Sequence, residues 1–262
     1  MNPTSAWVEY SYDGTPEGLF SALAVAIARN ETPSRFTPQS SPQASLFGTG
    51  LAVVTDPAQV AEFANRLRAR NAGSILEDIL LAFATETADI EIDLLRYARL
   101  ALTHGGDIGA NVTDPAVRRV QGLARKAGRE LHRLTGLLHF EELEDGLLWA
   151  SCTPESDITG VLALHFARRM PGERWVICDV RRGTALYHTD GTLRPAELDP
   201  EALASLRQRA QLPGRTADSD PYARLWRTYF DTIAIRPRTN LRLQRQFMPK
   251  RFWQFLPEKT PR

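Results

Sequence analysis

Cysteine is nearly absent from the 262-residue chain, which holds only Cys152 and Cys178. Two thiols cannot build a disulfide framework, hold an iron-sulfur cluster unaided or complete an all-cysteine zinc site. Each is expected to stay reduced and pack in a core strand. The five histidines, His104, His132, His139, His165 and His188, include no HxxxH or HxxEH pair, so a zinc hydrolase lacks its ligands. No P-loop occurs, and Gly48-Thr49-Gly50 is too short for a dinucleotide loop. A GxSxG elbow is missing as well, and Ser151-Cys152-Thr153 falls inside an expected strand. No stretch approaches the roughly 20 apolar residues of a membrane span. Met1 to Glu9 has no cation followed by an apolar run, so the expected location is the cytoplasm. Neither a metal nor another cofactor is expected on this chain by itself.

What is present is an ordinary globular composition, 43% hydrophobic and 24% charged, which at this length buries a core without staples. The net charge of +1 conceals an asymmetry. Residues 222–262 carry ten Lys/Arg against two Asp/Glu, and 115–139 carry six against Glu130 alone, so the rest of the chain is acidic. Charge gathered this way is a footprint for phosphates or for an acidic protein partner.

Apolar periodicity predicts a strand over 7–12, closed by Asp13-Gly14, then a helix through Leu19, Leu23 and Ile27. Residues 31–45 contain Pro33, Pro38 and Pro42 without apolar periodicity and read as a surface loop, with a second strand over 46–54. Helices are expected at 75–84 and 90–102. Asp56-Pro57, Asp114-Pro115 and Asp220-Pro221 each open a helix: the Asp accepts orphan N–H bonds, and Pro at the first helical position loses nothing by lacking one.

Beyond the helix at Pro115 the period changes. Strands at 137–143 and 147–153 flank Glu144-Asp145-Gly146, a helix over 158–170 ends at Pro171-Gly172, and strands follow at 175–180, 184–188 and 193–198. The expected class is α+β. It comprises an N-terminal mixed α/β and helical region over 1–113, a basic helix with a mostly antiparallel β-β-α-β-β-β sheet over 114–211, and a basic helical C-terminal tail over 212–262. One integrated domain could contain all three.

Two constellations stand out as nucleic-acid contacts. On the helix at Pro115, Val117, Val120, Ala124, Ala127, Leu131 and Leu134 form a buried stripe, while Arg118, Arg125, Arg129 and His132 fall within about 60° of one another on the opposite side. Arg119, Lys126 and Arg133 widen the basic band. In the tail, Tyr222, Leu225, Trp226, Tyr229, Phe230 and Ile233 form an apolar helix face, followed by Arg236, Arg238, Asn240, Arg242, Gln244, Arg245, Lys250, Arg251 and Trp253. There the cations suit phosphates, Asn240 and Gln244 suit base edges or sugars, and Phe247, Phe252, Trp253 or Phe255 suit base stacking or the packing of the tail. A third cluster, His165, Asp179, Arg181 and Arg182, would make an acid/base site if its helix covers the sheet; hydrogen bonding inside a core and a hairpin accounts for the same residues.

The run 118–133, the pair 165–169 and 179–187, and the tail segment 241–253 (Leu-Arg-Leu-Gln-Arg-Gln-Phe-Met-Pro-Lys-Arg-Phe-Trp), with Tyr12-Asp13-Gly14 at the start, together resemble a bacterial family of DNA-metabolism and DNA-repair proteins. The likeness runs in order along nearly the whole chain. It implies a DNA context shared with a radical-SAM protein of DNA modification or repair, and with uracil-DNA glycosylase-like domains fused behind a related domain. This chain lacks the CxxxCxxC of a radical-SAM cluster, so such chemistry would belong to a partner. Three readings stay open: a DNA-binding accessory protein, an enzyme acting on a damaged or modified nucleotide through the His165/Asp179/Arg181 cluster, and a protein-interaction module.

Overall fold

The computed structural model describes residues 8–39, 49–110, 113–143, 146–197, 199, 201, 204, 221–233 and 240–259. The chain divides into two compact units, Met1–Gly128 and Arg129–Arg262. Sheets of both parallel and antiparallel strands accompany the helices, which makes the class α+β as expected.

In the first unit, β1 (Val8–Tyr12) lies between β2 (Arg35–Pro38) and β3 (Thr49–Ala52), and both neighbours run parallel to it. The strand β2 corrects the loop expected at 31–45. Proline discouraged a strand there, yet Pro38 closes an edge strand, where a missing N–H is tolerated. Register with β1 sets Phe36 beside Tyr10, and the two rings meet edge-on at 5.7 Å, burying an apolar side chain that no periodicity announced.

Helices α1 (Pro16–Ala28), α2 (Pro57–Ala69), α3 (Ser74–Phe83) and α4 (Ile90–His104) follow. Asp56 caps α2 as expected, its Oδ1 accepting from the N–H of Ala58 at 2.8 Å, and Thr15 does the same for α1, its Oγ1 accepting from the N–H of Gly18 at 3.0 Å. Three tyrosine hydroxyls donate to carboxylates, Tyr10 to Glu31, Tyr12 to Glu91 and Tyr97 to Asp78, at 2.6, 3.0 and 2.6 Å. The Tyr12 pair ties the central strand to α4.

The helix α5 (Pro115–Leu137) begins in the first unit and ends in the second. Next come β4 (Glu141–Glu142), β5 (Leu148–Cys152), α6 (Thr159–Arg169), β6 (Trp175–Asp179), β7 (Thr184–Thr189) and β8 (Thr192–Glu197). This is the expected β-β-α-β-β-β order, and the strands pair in sequence. All pairs are antiparallel except β5 with β6, which α6 connects. Only β4 is much shorter than expected, because α5 keeps its helical turns through Leu137.

Phe166 of α6 packs on Phe140 and Trp175, with centroids at 5.0 and 6.5 Å, which sets α6 on one face of the sheet. Trp175 in turn stacks on His188, its register partner on β7, at 4.8 Å. Cys152 and Cys178 are buried in β5 and β6 as expected. The tail supplies α7 (Pro221–Ile233), α8 (Leu241–Phe247) and two 3-10 turns, Lys250–Phe255 and Pro257–Lys259. Asp220, expected to cap α7, lies outside the described residues. Among the described residues no helix is long and apolar enough to cross a membrane.

Candidate nucleic-acid interface

Helix α5 separates its two faces as the sequence predicts. Val117, Val120, Ala124, Ala127 and Leu134 are buried, and Leu131 is half-buried. Arg118, Arg125, Lys126, Arg129 and His132 are exposed, and Arg133 is half-buried. Asp114 starts the helix, its Oδ1 accepting from the N–H of Ala116 at 2.9 Å and its Oδ2 from Arg96 at 2.7 Å.

Not every cation is available to a ligand. Arg119 donates to Asp93 Oδ2 at 2.7 Å and to the carbonyl of Ala88 at 3.1 Å, so it fastens the helix. Arg118, Arg125 and Arg129 form no ion pair among the described residues. Gly122 and Gly136 share their side of the helix and have open space where a Cβ would stand. The outcome is a row of guanidinium groups without ion-pair partners among the described residues, with open space at Gly122 between Arg118 and Arg125.

The tail residues divide differently. Arg242, Arg245 and Lys250 are exposed, and Gln244 is half-buried. Asn240 is the N-cap of α8, its Oδ1 accepting from the N–H of Leu243 at 3.0 Å. Trp253 is half-buried, donates from Nε1 to the carbonyl of Met248 at 2.9 Å, and lies 5.0 Å beneath the Lys259 ammonium. Phe252 is buried and Phe255 half-buried, whereas Phe247 is exposed. Arg236 and Arg238 lie outside the described residues.

Arg251 points elsewhere. It donates to Glu130 at 2.9 Å and to Glu155 at 2.7 Å. Glu130, only 3% exposed, also accepts from the N–H groups of Glu155 and Ser156 at 2.8 and 3.0 Å. The loop from Pro154 to Ser156 is gripped from a second direction: Arg181 donates to the Glu155 carbonyl at 3.0 Å, and Arg182 to the Pro154 and Glu155 carbonyls at 3.3 and 3.0 Å.

Asp179, fully buried, anchors those arginines. Its Oδ1 accepts from the N–H groups of Arg181 and Arg182 at 2.9 and 3.1 Å, and its Oδ2 from the Arg182 guanidinium at 2.7 Å. Asp179, Arg181 and Arg182 thus come together in one turn. His165 makes no hydrogen bond to it, and its Nε2 is buried without a partner among the described residues. The sequence reading missed Glu130. Its signal was positional, a lone carboxylate about 120° from Arg118 and so on the buried side of an otherwise basic helix.

Residues 88–258, well over half of the chain, match a family described as a domain of unknown function (DUF4130). No curated protein and no solved structure matches the chain.

Proposed function

The chain belongs to the DUF4130 family, and we propose that it is a DNA-binding accessory component of bacterial DNA repair or modification, acting beside a radical-SAM partner. The observation that carries this reading is the exposed row of Arg118, Arg125, Lys126 and Arg129 on α5. Its three guanidinium groups, those of Arg118, Arg125 and Arg129, lack an ion-pair partner among the described residues. Positive charges held close together repel one another unless a polyanion or acidic surface meets them.

The apolar side of α5 is buried, so the side left to a ligand is the one with Arg118, Arg125 and Arg129, whose charges suit a phosphate backbone. Contacts of that kind position a nucleic acid without reading its sequence. The exposed Arg242, Arg245 and Lys250 add long-range attraction. The radical-SAM half of the proposal rests on the family resemblance. Two cysteines cannot hold such a cluster, which leaves the redox chemistry to the partner.

The test is fluorescence anisotropy with labelled duplexes across salt. Affinity should fall steeply between about 50 and 200 mM salt, and Arg125→Gln or Arg129→Gln should each lower the magnitude of the log K against log salt slope by about one. Wild-type slopes in both variants, or no binding at low salt, would remove the DNA reading.

A further inference from the structure

Among the described residues nine large apolar side chains stand exposed, and seven of them fall between Leu225 and Phe247. On α7, Leu225, Trp226, Tyr229 and Ile233 share a face of about 100°. Leu225 is 67% exposed and Tyr229 53%. The other side of the same helix is engaged, and so is the edge of the apolar face: Arg227 donates to the Pro257 carbonyl at 2.6 Å, the Lys259 ammonium stands 5.9 Å from the ring of Phe230, and the Trp226 indole donates to Glu258 at 2.9 Å. Helix α8 is more open still. It has seven residues, none of them buried, and displays Leu241, Leu243 and Phe247. Helices shorter than about 12 residues are marginal in water unless something packs on them.

Nucleic acid does not account for this surface. Phosphates would engage Arg242, Arg245 and Lys250, but Leu225, Ile233, Leu241 and Leu243 have no π face on which a base could stack. A second copy of the chain fits no better. Residues 222–262 hold ten Lys/Arg against two Asp/Glu, and a two-fold contact would set that excess against itself. Trp and Tyr beside aliphatic residues, edged with arginine, is the composition of a protein-binding hot spot.

We propose that the exposed faces of α7 and α8 dock a partner protein that presents an apolar helix edged with carboxylates. The contact is of the helix-to-helix kind, with Leu225, Tyr229 and Ile233 as anchors and Arg224, Arg242 and Arg245 meeting the acidic rim. The anchors Leu225, Tyr229 and Ile233 are none of the cations given to DNA, so replacing them tests the docking face apart from the DNA reading.

The test titrates the full chain against a fluorescein-labelled helical peptide of about 18 residues with a leucine stripe edged by glutamates, and against its twin edged by lysines. The glutamate peptide should bind saturably at about 1–100 µM, and the lysine twin at least about tenfold more weakly. Leu225→Ala and Tyr229→Ala should each weaken the glutamate peptide by about tenfold or more, with duplex DNA affinity and circular dichroism unchanged. No saturation by about 1 mM, equal affinity for the two peptides, or indifference to both variants overturns the proposal. A dimer in sedimentation that Tyr229→Ala dissolves would instead assign the face to a second copy. Loss of oligo(dT) binding in Tyr229→Ala would assign it to single strands. Either result also overturns the proposal.

Discussion

Arg251 donates to the carboxylate of Glu130 at 2.9 Å, across 121 residues of sequence. The bond fastens the turn at Arg251 to the second half of α5. The same carboxylate caps two N–H groups of the Pro154–Ser156 loop, so three donors depend on one buried side chain.

Replacing Glu130 therefore costs more than one hydrogen bond. Glu130→Ala should destabilise the protein by about 3 kcal/mol, because it leaves two amides unpaired and takes from the Arg251 guanidinium one of its two carboxylates, only Glu155 remaining. Glu130→Gln retains an acceptor and should cost less. Urea unfolding decides between these outcomes; a loss below about 1 kcal/mol for the alanine variant would show that the network is incidental.

Gly18 answers to a different constraint. A Cβ at this position would lie 2.0 Å from Asp13 Oδ1, and that carboxylate is held by Thr15 and by Thr55 at 2.5 Å. Gly18→Ala should destabilise by about 1–3 kcal/mol despite the better helix propensity of alanine. In an Asp13→Ala background only Thr55 Oγ1, at 3.1 Å, still crowds the Cβ, and the same substitution should cost much less. A double-mutant cycle that shows no coupling would refute the steric account.

Glu91 supplies a pH signature. Burial pushes its carboxyl above the usual range, outweighing the hydrogen bond from Tyr12. The native state then holds a proton that the unfolded chain has released, so stability falls as pH rises from the ordinary carboxylate value through the raised one. Glu91→Gln removes this titration while keeping an acceptor for Tyr12. Its stability relative to wild type should rise across that window, as followed by thermal melts at stepped pH. Glu91→Ala leaves the buried Tyr12 hydroxyl unpaired and should cost about 1–3 kcal/mol at every pH.

Much of the second sheet was legible because its turns are spelled out: Gly183 and Asp190-Gly191 adopt positive φ between strands of clear period two. The two faces of α5 were legible for the same reason, a 23-residue run with one unbroken apolar stripe. The strand β2 was hidden because its four residues hold one large apolar side chain, Phe36, and end on a proline, so its form comes from pairing with β1 and not from a period of its own. Glu130 was hidden because its partners are backbone amides and an arginine far along the chain. The apolar row on α7 was seen, but periodicity gives the spacing of a face and not whether anything covers it.

The thiols provide a chemical check on the sheet. Burial pushes Cys178 up to about 12, with the Asp179 charge adding to it, and Cys152 is raised by burial as well. Neither should react with Ellman's reagent at about pH 8 in the native protein, and both should react on unfolding. Rapid native modification of either would mean that β5 and β6 are open to solvent.

Gly122 brings stability and binding into one position. A glycine inside a helix costs about 0.5–1 kcal/mol relative to alanine, and no atom lies within 4 Å of where its Cβ would stand. Gly122→Ala should therefore stabilise the protein by about that amount, raising the melting temperature by a few degrees. On the helix it lies about 20° from Arg129 and 40° from Arg118 and Lys126, within the row proposed to meet phosphates. Gly122→Glu should then lower duplex affinity by about tenfold at low salt, through repulsion of the phosphates and neutralisation of neighbouring cations. Gly122→Gln adds the same bulk without charge and separates crowding from electrostatics. Wild-type duplex affinity in Gly122→Glu, with folding intact, would mean that DNA does not pass along this side of α5.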